Sequence, residues 1–217
     1  MGGKPIISVL TPARETVPLQ FMGSYNAMIA ELAQGFDVRN HLTTKMPLDA
    51  ARNDLWQKAR AAHADYALWV DSDMVIPGGA ASRLIRSGLD LVSGLYFMRA
   101  PPYLPVARVL NENGKGHRFL TEYPPDEPIR INGATGMGFL LCSRKVLDAL
   151  PGKPFFFGEW SEDLNFFEAC RKAGFELWLD TGCKLGHIGG ISDESLYLAM
   201  KGRMKFEETA EGIRYRM

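Results

Sequence analysis

A continuous apolar run in this chain ends in two carboxylates. Residues 66–77 read YALWVDSDMVIP, so Asp71 and Asp73 stand one residue apart directly after the run. An apolar run without alternation predicts a strand covered on both faces, as in a parallel sheet. Two like charges this close repel each other, and more strongly as water is excluded. The pair therefore points to a ligand rather than to stability.

Strands and helices alternate along the first 97 residues. Apolar and β-branched runs predict strands at 5–10, 36–43, 66–70 and 89–97. Apolar residues at helical spacing predict helices at 18–34, 48–64 and 79–87. This alternation predicts the α/β class, with a Rossmann-like, mostly parallel sheet flanked by helices.

The pattern changes after residue 100. Residues 100–132 hold six of the thirteen prolines, which predicts short antiparallel strands and loops. Further on we expect strands at 136–143 and 175–180 and helices at 143–150 and 161–174. Beyond Ile191 the chain is polar and charged, so we expect 191–217 to form a tail or lid with some helix.

Composition narrows the classes of function. The 217 residues include 25 basic and 25 acidic side chains, and zero net charge gives no long-range attraction to nucleic acid or anionic lipid. Cys142, Cys170 and Cys183 form no CxxC pair, which predicts a reduced, intracellular protein. No apolar stretch reaches the roughly 18 residues of a membrane span, and no signal peptide is evident. We expect a soluble, cytoplasmic protein.

The place of the first acidic pair predicts a divalent metal. Ligands of open α/β sheets bind beyond the carboxyl ends of the strands, where Asp71 and Asp73 stand. Two oxygen donors on one turn suit Mg²⁺ or Mn²⁺, which also takes substrate phosphate oxygens. A solvated turn is the simpler alternative. A phosphohydrolase with a nucleophilic Asp is disfavoured, because about 65 residues precede the pair and no Gly-Thr follows.

A second acidic pair, Glu162 and Asp163, follows Ser161, a predicted helix N-cap. The helix macrodipole favours ionised carboxylates in the first turn. An ionised carboxylate is what a general base needs, although acids in first turns are also routine stabilising residues. The predicted buried face of this helix is Leu164, Phe167 and Cys170.

His187 lies between glycines in KLGHIGG. Histidine is a common metal ligand, and small neighbours let a metal approach, although a structural histidine is the alternative. The loop NGATGMG contains Gly136 and Gly138, which either bring backbone amides to a ligand or form a simple turn. The remaining histidines, expected at the surface, are His41, His63 and His117.

Four segments, in this order, resemble those of GT-A glycosyltransferases of the family-2-like group. DAARNDLWQKA is similar to the helix before their DxD strand, and ADYALWVDSDMVIP to the DxD segment itself. NGATGMGFLLCSRKVLDAL resembles the glycine-rich strand and helix beside the donor sugar. GEWSEDLNFFEACRKAGFELWLD resembles the acceptor-side acidic motif, with GHIGG after it. The resemblance implies one GT-A domain over 1–190, with a nucleotide-binding half at 1–97 and an acceptor-side half at 98–190.

The resemblance also implies donor-binding residues. In this family the end of the first strand cradles the nucleotide, which here means Thr11, Pro12 and Arg14. Arg14 and Arg52 would contact the base or the diphosphate, although each is equally a surface arginine. The other donor-side residues that the resemblance implies are Asp71, Ser72, Gly136 and Gly138.

By the same resemblance, Asp71, Asp73 and His187 would hold Mn²⁺ or Mg²⁺, which neutralises the diphosphate leaving group. The expected partner is a nucleotide-sugar donor, UDP-linked as is usual in the family. Its sugar would pass to an acceptor hydroxyl of unspecified class, with no strong case for nucleic acid.

By the same resemblance, the acceptor side would supply the residues that activate and orient the acceptor hydroxyl. Asp163 would act as the base of an inverting displacement, and Glu162 would orient the acceptor. Trp160 either stacks on a sugar ring or belongs to the core. Two alternatives stay open: a non-catalytic nucleotide-sugar binding module, and a sugar-phosphate nucleotidyltransferase. The latter normally opens with a glycine-rich basic loop, whereas LTPARETVPLQ contains no glycine.

Overall fold

The computed structural model describes residues 3–112, 116–189, 194–201, 205–209 and 212–216. The strands of the first half are β1 (Ile6–Pro12), β2 (Asp37–Thr43), β3 (Tyr66–Val70), β4 (Met74–Val75) and β5 (Leu91–Leu95). Those that follow are β6 (Ala107–Leu110), β7 (His117–Phe119), β8 (Pro128–Ile131), β9 (Gly133–Thr135), β10 (Phe139–Ser143), β11 (Leu177–Lys184), β12 (Gly186–His187), β13 (Lys205–Thr209) and β14 (Gly212–Arg216). The helices are α1 (Leu19–Gly35), α2 (Leu48–Ala61), α3 (Ala80–Arg86), α4 (Arg144–Ala149), α5 (Glu162–Lys172) and α6 (Glu194–Lys201).

A seven-stranded sheet forms the centre of the molecule, in the order β2-β1-β3-β10-β5-β11-β8. Strands β2, β1, β3, β5 and β11 point the same way, whereas β10 and β8 run antiparallel to their neighbours. The predicted fold class is confirmed as α/β, with a mostly parallel sheet flanked by helices.

Side chains of the central strands alternate between two apolar clusters. In β3, Ala67 and Trp69 belong to the cluster that includes residues of α2, α4 and α5. Leu68 and Val70 belong to the cluster that includes residues of α1 and α3. All four are fully buried. The run is apolar throughout because helices cover both faces of the sheet.

Short antiparallel pairings make up the region predicted at 100–132 and its surroundings. Strands β7, β6 and β9 form a three-stranded sheet in that order. Strands β4 and β12 form a two-residue pair that sets His187 opposite Met74. This pair was not predicted from the sequence, because two residues carry no periodicity.

Helices α2 and α5 end two or three residues earlier than predicted. Helix α2 ends at Ala61 because His63 adopts a left-handed φ of 51°, which is incompatible with a continuing helix. Helix α5 ends at Lys172, and Gly174 follows with a φ of +86°.

Helix α6 packs on the core through Tyr197, which is fully buried. Its ring centroid lies 5.2 Å from that of Phe97, and its hydroxyl donates to the carbonyl oxygen of Thr121 at 2.9 Å. Strands β13 and β14 form an antiparallel hairpin. The tail or lid over 191–217 stays a prediction, and residues 191–193, 202–204, 210, 211 and 217 lie outside the described part.

All three cysteines are buried free thiols. Among the described helices, none has both the length and the apolar character to cross a bilayer.

Candidate functional site

A cavity of about 250 Å³ opens where β1, β2 and β3 end. Its wall includes Pro12 from β1, Thr43 from β2 and Asp71 directly after β3. Strands β2 and β3 lie on opposite sides of β1, so the strand order reverses at this point. Such a switch point is the usual ligand site of an open α/β sheet.

The cavity brings together most of the residues predicted for the donor side. Its lining includes six of them: Pro12, Arg14, Arg52, Asp71, Ser72 and Asp73. Thr11, also predicted, is fully buried at the end of β1. The lining mixes three arginines, Arg14, Arg52 and Arg99, with two carboxylates, which suits a ligand that carries phosphates and, with them, a cation.

Arg52 comes from α2 and is only 3% exposed. Its Nη2 lies 3.3 Å from Oδ1 of Asp71, its Nε lies 3.2 Å from Oε1 of Glu162, and its guanidinium lies over the ring of Trp69. Burial works against the charged form, yet the two carboxylates hold the pKa of Arg52 above its ordinary value. Nη1 is buried without a hydrogen-bond partner among the described residues, which leaves a donor for a ligand.

Gly136 and Gly138 make room for Tyr96. A Cβ at either position would collide with the tyrosine ring or its hydroxyl. The hydroxyl accepts a hydrogen bond from the Gly138 N–H at 2.9 Å, and the Gly138 carbonyl accepts one from the Asp71 N–H at 3.0 Å. The loop therefore fixes the backbone of Asp71, whereas direct donor binding by these glycines stays a prediction.

Asp73 lies beside His187, near the short β4–β12 pair. Its Oδ1 lies 3.6 Å from Nε2 of His187, and its Oδ2 lies 3.1 Å from Nη1 of Arg99. His187 donates from Nδ1 to the carbonyl of Phe97 at 2.7 Å. In the neutral imidazole the lone pair is thus on Nε2, on the side of Asp73. Burial opposes ionisation of Asp73, but His187 and Arg99 lower the pKa of this carboxyl below its ordinary value.

The side chains of Asp73 and His187 supply an oxygen and a nitrogen atom that could both coordinate a divalent cation. A carboxylate oxygen faces an imidazole nitrogen, and a main-chain carbonyl orients the imidazole, as is common for metal-binding histidines. Asp71, the third predicted ligand, is engaged by Arg52. Within the described ranges, no three acidic, histidine or cysteine side chains are grouped closely enough to hold a metal. The three-residue metal set therefore remains a prediction.

The second acidic pair begins α5, as predicted, and its two members differ. Glu162 is 5% exposed, and burial raises its pKa although Arg52 opposes the rise. Asp163 is half-buried, and its Oδ1 accepts hydrogen bonds from the Ser161 hydroxyl and the Leu164 N–H. Ser161 occupies the N-cap position, but its hydroxyl makes no cap hydrogen bond and donates to Asp163 instead. The buried face of the helix includes the predicted Leu164, Phe167 and Cys170.

A second cavity, of about 400 Å³, shares Arg14, Ser72, Asp73 and Arg99 with the first. Arg99 was not predicted from the sequence, although a cation two residues after the apolar run 89–97 is a signal similar to that of Asp71. Tyr96 was not predicted either, because a tyrosine inside an apolar run reads as core.

Trp160 is 44% exposed and does not belong to the core. Its ring lies 5.6 Å from that of His117, edge to face. Of the histidines expected at the surface, His63 is exposed, whereas His41 and His117 are half-buried.

No protein-family model matches this chain, and no curated protein matches it. Among solved structures, protein A197 from STIV is similar over 85% of both chains, with 16% identity and a TM-score of 0.55. At that identity the likeness concerns the fold alone.

Two further solved structures are transferases. A Drosophila β-1,4-galactosyltransferase 7 mutant, in complex with manganese, UDP-Gal and xylobiose, is 19% identical over 85% of this chain and 71% of its own, with a TM-score of 0.45. The inositol-1-phosphate CTP transferase of T. maritima is 11% identical over 92% of this chain and 96% of its own, with a TM-score of 0.47. Both scores are too low to support an inference about this chain.

Proposed function

We propose that this protein is a glycosyltransferase that uses a nucleoside diphosphate sugar, UDP-linked, as donor. The observation that carries the proposal is the position of Arg52. It lies beneath the cavity at the switch point, pairs with Asp71 on the donor side and with Glu162 on the acceptor side, and keeps one buried donor, Nη1, unused. A diphosphate or a base carbonyl would satisfy that donor.

The donor would occupy the cavity that Arg14 and Arg52 line. Asp73 and His187 would hold Mn²⁺ or Mg²⁺, with Asp71 as a further ligand. When bound, the cation would neutralise the charge that develops on the departing diphosphate. Arg99, which pairs with Asp73, lies where it would help to balance the same charge.

Asp163 would act as the base of an inverting transfer. The acceptor hydroxyl oxygen would attack the anomeric carbon of the donor, the bond from that carbon to the diphosphate would break, and the hydroxyl proton would pass to Asp163. The Ser161 hydroxyl and the Leu164 N–H hold one carboxylate oxygen of Asp163. Glu162 would act through Arg52, because it is buried against that side chain.

The test is a thermal-shift screen of nucleotide sugars with Mn²⁺, followed by an assay for release of the nucleoside diphosphate. A ligand that binds only the folded state raises the melting temperature, so the preferred donor should stand out. Asp73→Asn should remove both the shift and the turnover. The matched control is Asp37→Asn, a surface carboxylate at the amino end of β2 that should change neither. If no nucleotide sugar shifts the wild-type protein, the proposal is wrong; metal-dependent binding without turnover would favour a binding module.

A further inference from the structure

A third cavity, of about 610 Å³, lies along α5 between this helix and the three-stranded sheet. Its lining includes Trp160 before α5, Leu164 and Asn165 in α5, His117 in β7 and Leu110 in β6. It shares none of its lining with the proposed donor cavity. Its volume falls within the range of about 300–1,000 Å³ that is typical of small-molecule sites.

Hydrogen bonds hold the backbone of Trp160 in place, and this residue lines the cavity. Asn165 donates to the carbonyl of Trp160 at 3.1 Å and to that of Phe156 at 2.8 Å, and the Gly158 N–H donates to the carbonyl of Trp160 at 3.1 Å. An indole of which 44% is exposed, on a tethered backbone, is a preformed apolar surface with little entropy left to lose on binding.

His117 adds a polar atom without a partner. Its Nδ1 is buried and makes no hydrogen bond to any described residue. Burial and the neighbouring Arg108 lower the pKa of His117, which favours the neutral ring. A hydroxyl group of a ligand would satisfy that nitrogen either as donor or as acceptor.

The charges at this cavity are balanced. Its lining has two carboxylates, Glu159 and Glu168, and two cations, Arg171 and Lys172. Glu168 already pairs with Arg171 at 2.8 Å and with Lys172 at 3.4 Å. Such a surface offers no net field to a phosphate or to a nucleic acid. It does offer many planar polar groups to an uncharged, hydroxyl-rich ligand.

We infer that this third cavity, called the groove along α5 from here on, binds a neutral oligosaccharide. The apolar face of one sugar would lie on Trp160, and sugar hydroxyls would bond to His117, Asn165 and the paired charges. The proposed base, Asp163, lies in the first turn of α5, the helix along which this cavity runs. The inference rests on the proposed glycosyl transfer in naming this oligosaccharide as the acceptor.

The test uses the full chain without donor or metal. Xylo-, cello-, manno- and malto-oligosaccharides of increasing length are titrated by calorimetry and by tryptophan fluorescence. Trp160 is exposed, Trp178 is half-buried, and Trp56 and Trp69 are fully buried. At least one series should bind, more tightly as the chain lengthens. Trp160→Ala should weaken that binding about ten-fold or more.

Phe157→Ala is the matched control, because Phe157 is an exposed aromatic on the same loop that does not line the groove. It should leave the affinity unchanged. His117→Phe keeps an aromatic ring but removes the nitrogens, so it should weaken binding as well. It is the alternative test variant if Trp160→Ala folds poorly. The inference is wrong if no series binds, or if both groove variants bind as the wild type does.

Donor binding is measured on the same preparations with UDP and Mn²⁺. If UDP binds and no oligosaccharide does, the inference fails while the proposed function stands. If an oligosaccharide binds at Trp160 and no nucleotide binds, the proposed function fails and the groove remains a carbohydrate site.

Discussion

The Nε atom of Arg52 lies 3.2 Å from a carboxylate oxygen of Glu162, although 110 residues separate the two in the chain. Both side chains are almost completely buried. The contact joins α2, at the proposed donor cavity, to the first turn of α5, at the proposed acceptor side. A charge taken out of water needs a partner, so each residue depends on the other.

Arg52→Met should destabilise the fold by about 3–5 kcal/mol, because it leaves the carboxylate of Glu162 buried without its cation. Urea denaturation followed by far-UV circular dichroism measures the loss. The double variant Arg52→Met/Glu162→Gln should recover much of it, since the uncompensated charge is gone. Lys58→Met breaks the exposed pair with Asp54 and should cost only about 0.3–0.5 kcal/mol. Equal losses for Arg52→Met and Lys58→Met would contradict the buried pair.

The same variant should have a distinctive pH dependence. Burial already raises the pKa of Glu162 above the ordinary 4.5, and removing Arg52 takes away the cation that opposes the rise. A raised folded-state pKa stabilises the fold at low pH, and this stability is lost as the pH rises through the folded pKa. The stability gap between wild type and Arg52→Met should therefore be small near pH 4 and widest at neutral pH. A gap that does not change with pH would show that Glu162 is not the cause.

Tyr96→Phe should lower the affinity for a nucleotide as well as the stability of the fold. The change removes the acceptor of the Gly138 N–H, at a cost of about 1–3 kcal/mol, and loosens the loop whose carbonyl holds Asp71. Tyr197→Phe is the matched control, because it removes another tyrosine hydroxyl bonded to the backbone at 2.9 Å, outside the site. Titration of both variants with UDP and Mn²⁺ should show weaker binding for Tyr96→Phe alone. Equal affinities would mean that Tyr96 only supports the core.

The structural features that could be predicted from the sequence are those set by residues close together in the chain. The apolar run 66–70 identified a central strand because cover on both faces requires apolar residues throughout, and the position of Asp71 followed from the end of that strand. The predicted helix at 161–174 likewise placed Glu162 in a first turn. These are consequences of periodicity and local capping.

What the sequence did not predict depends on contacts between distant segments. Nothing near Arg52 in the chain indicates that Glu162 is its partner. Tyr96 reads as an ordinary core residue until Gly138 is placed above its hydroxyl. The groove at Trp160 forms only where β6, β7 and α5 pack together, and no local sequence pattern predicts that packing.

The three cysteines should be unreactive in the native protein. Burial raises the pKa of all three thiols, for Cys183 to about 12, and only the thiolate reacts readily. A thiol reagent such as Ellman's should label none of them quickly at pH 8 and all three in urea. Rapid labelling of the native protein would show that the packing around Cys142, Cys170 and Cys183 is wrong.

We propose that Asp71, Asp73 and His187 prepare the switch-point cavity for a nucleoside diphosphate with its cation. Calorimetric titration of UDP, with and without Mn²⁺, tests it most directly in wild type, Asp73→Asn and His187→Ala. We expect Mn²⁺ to increase strongly the affinity of the wild type for UDP, and either substitution to remove this increase. UDP that fails to bind, or that binds equally well without metal and in both variants, would contradict it.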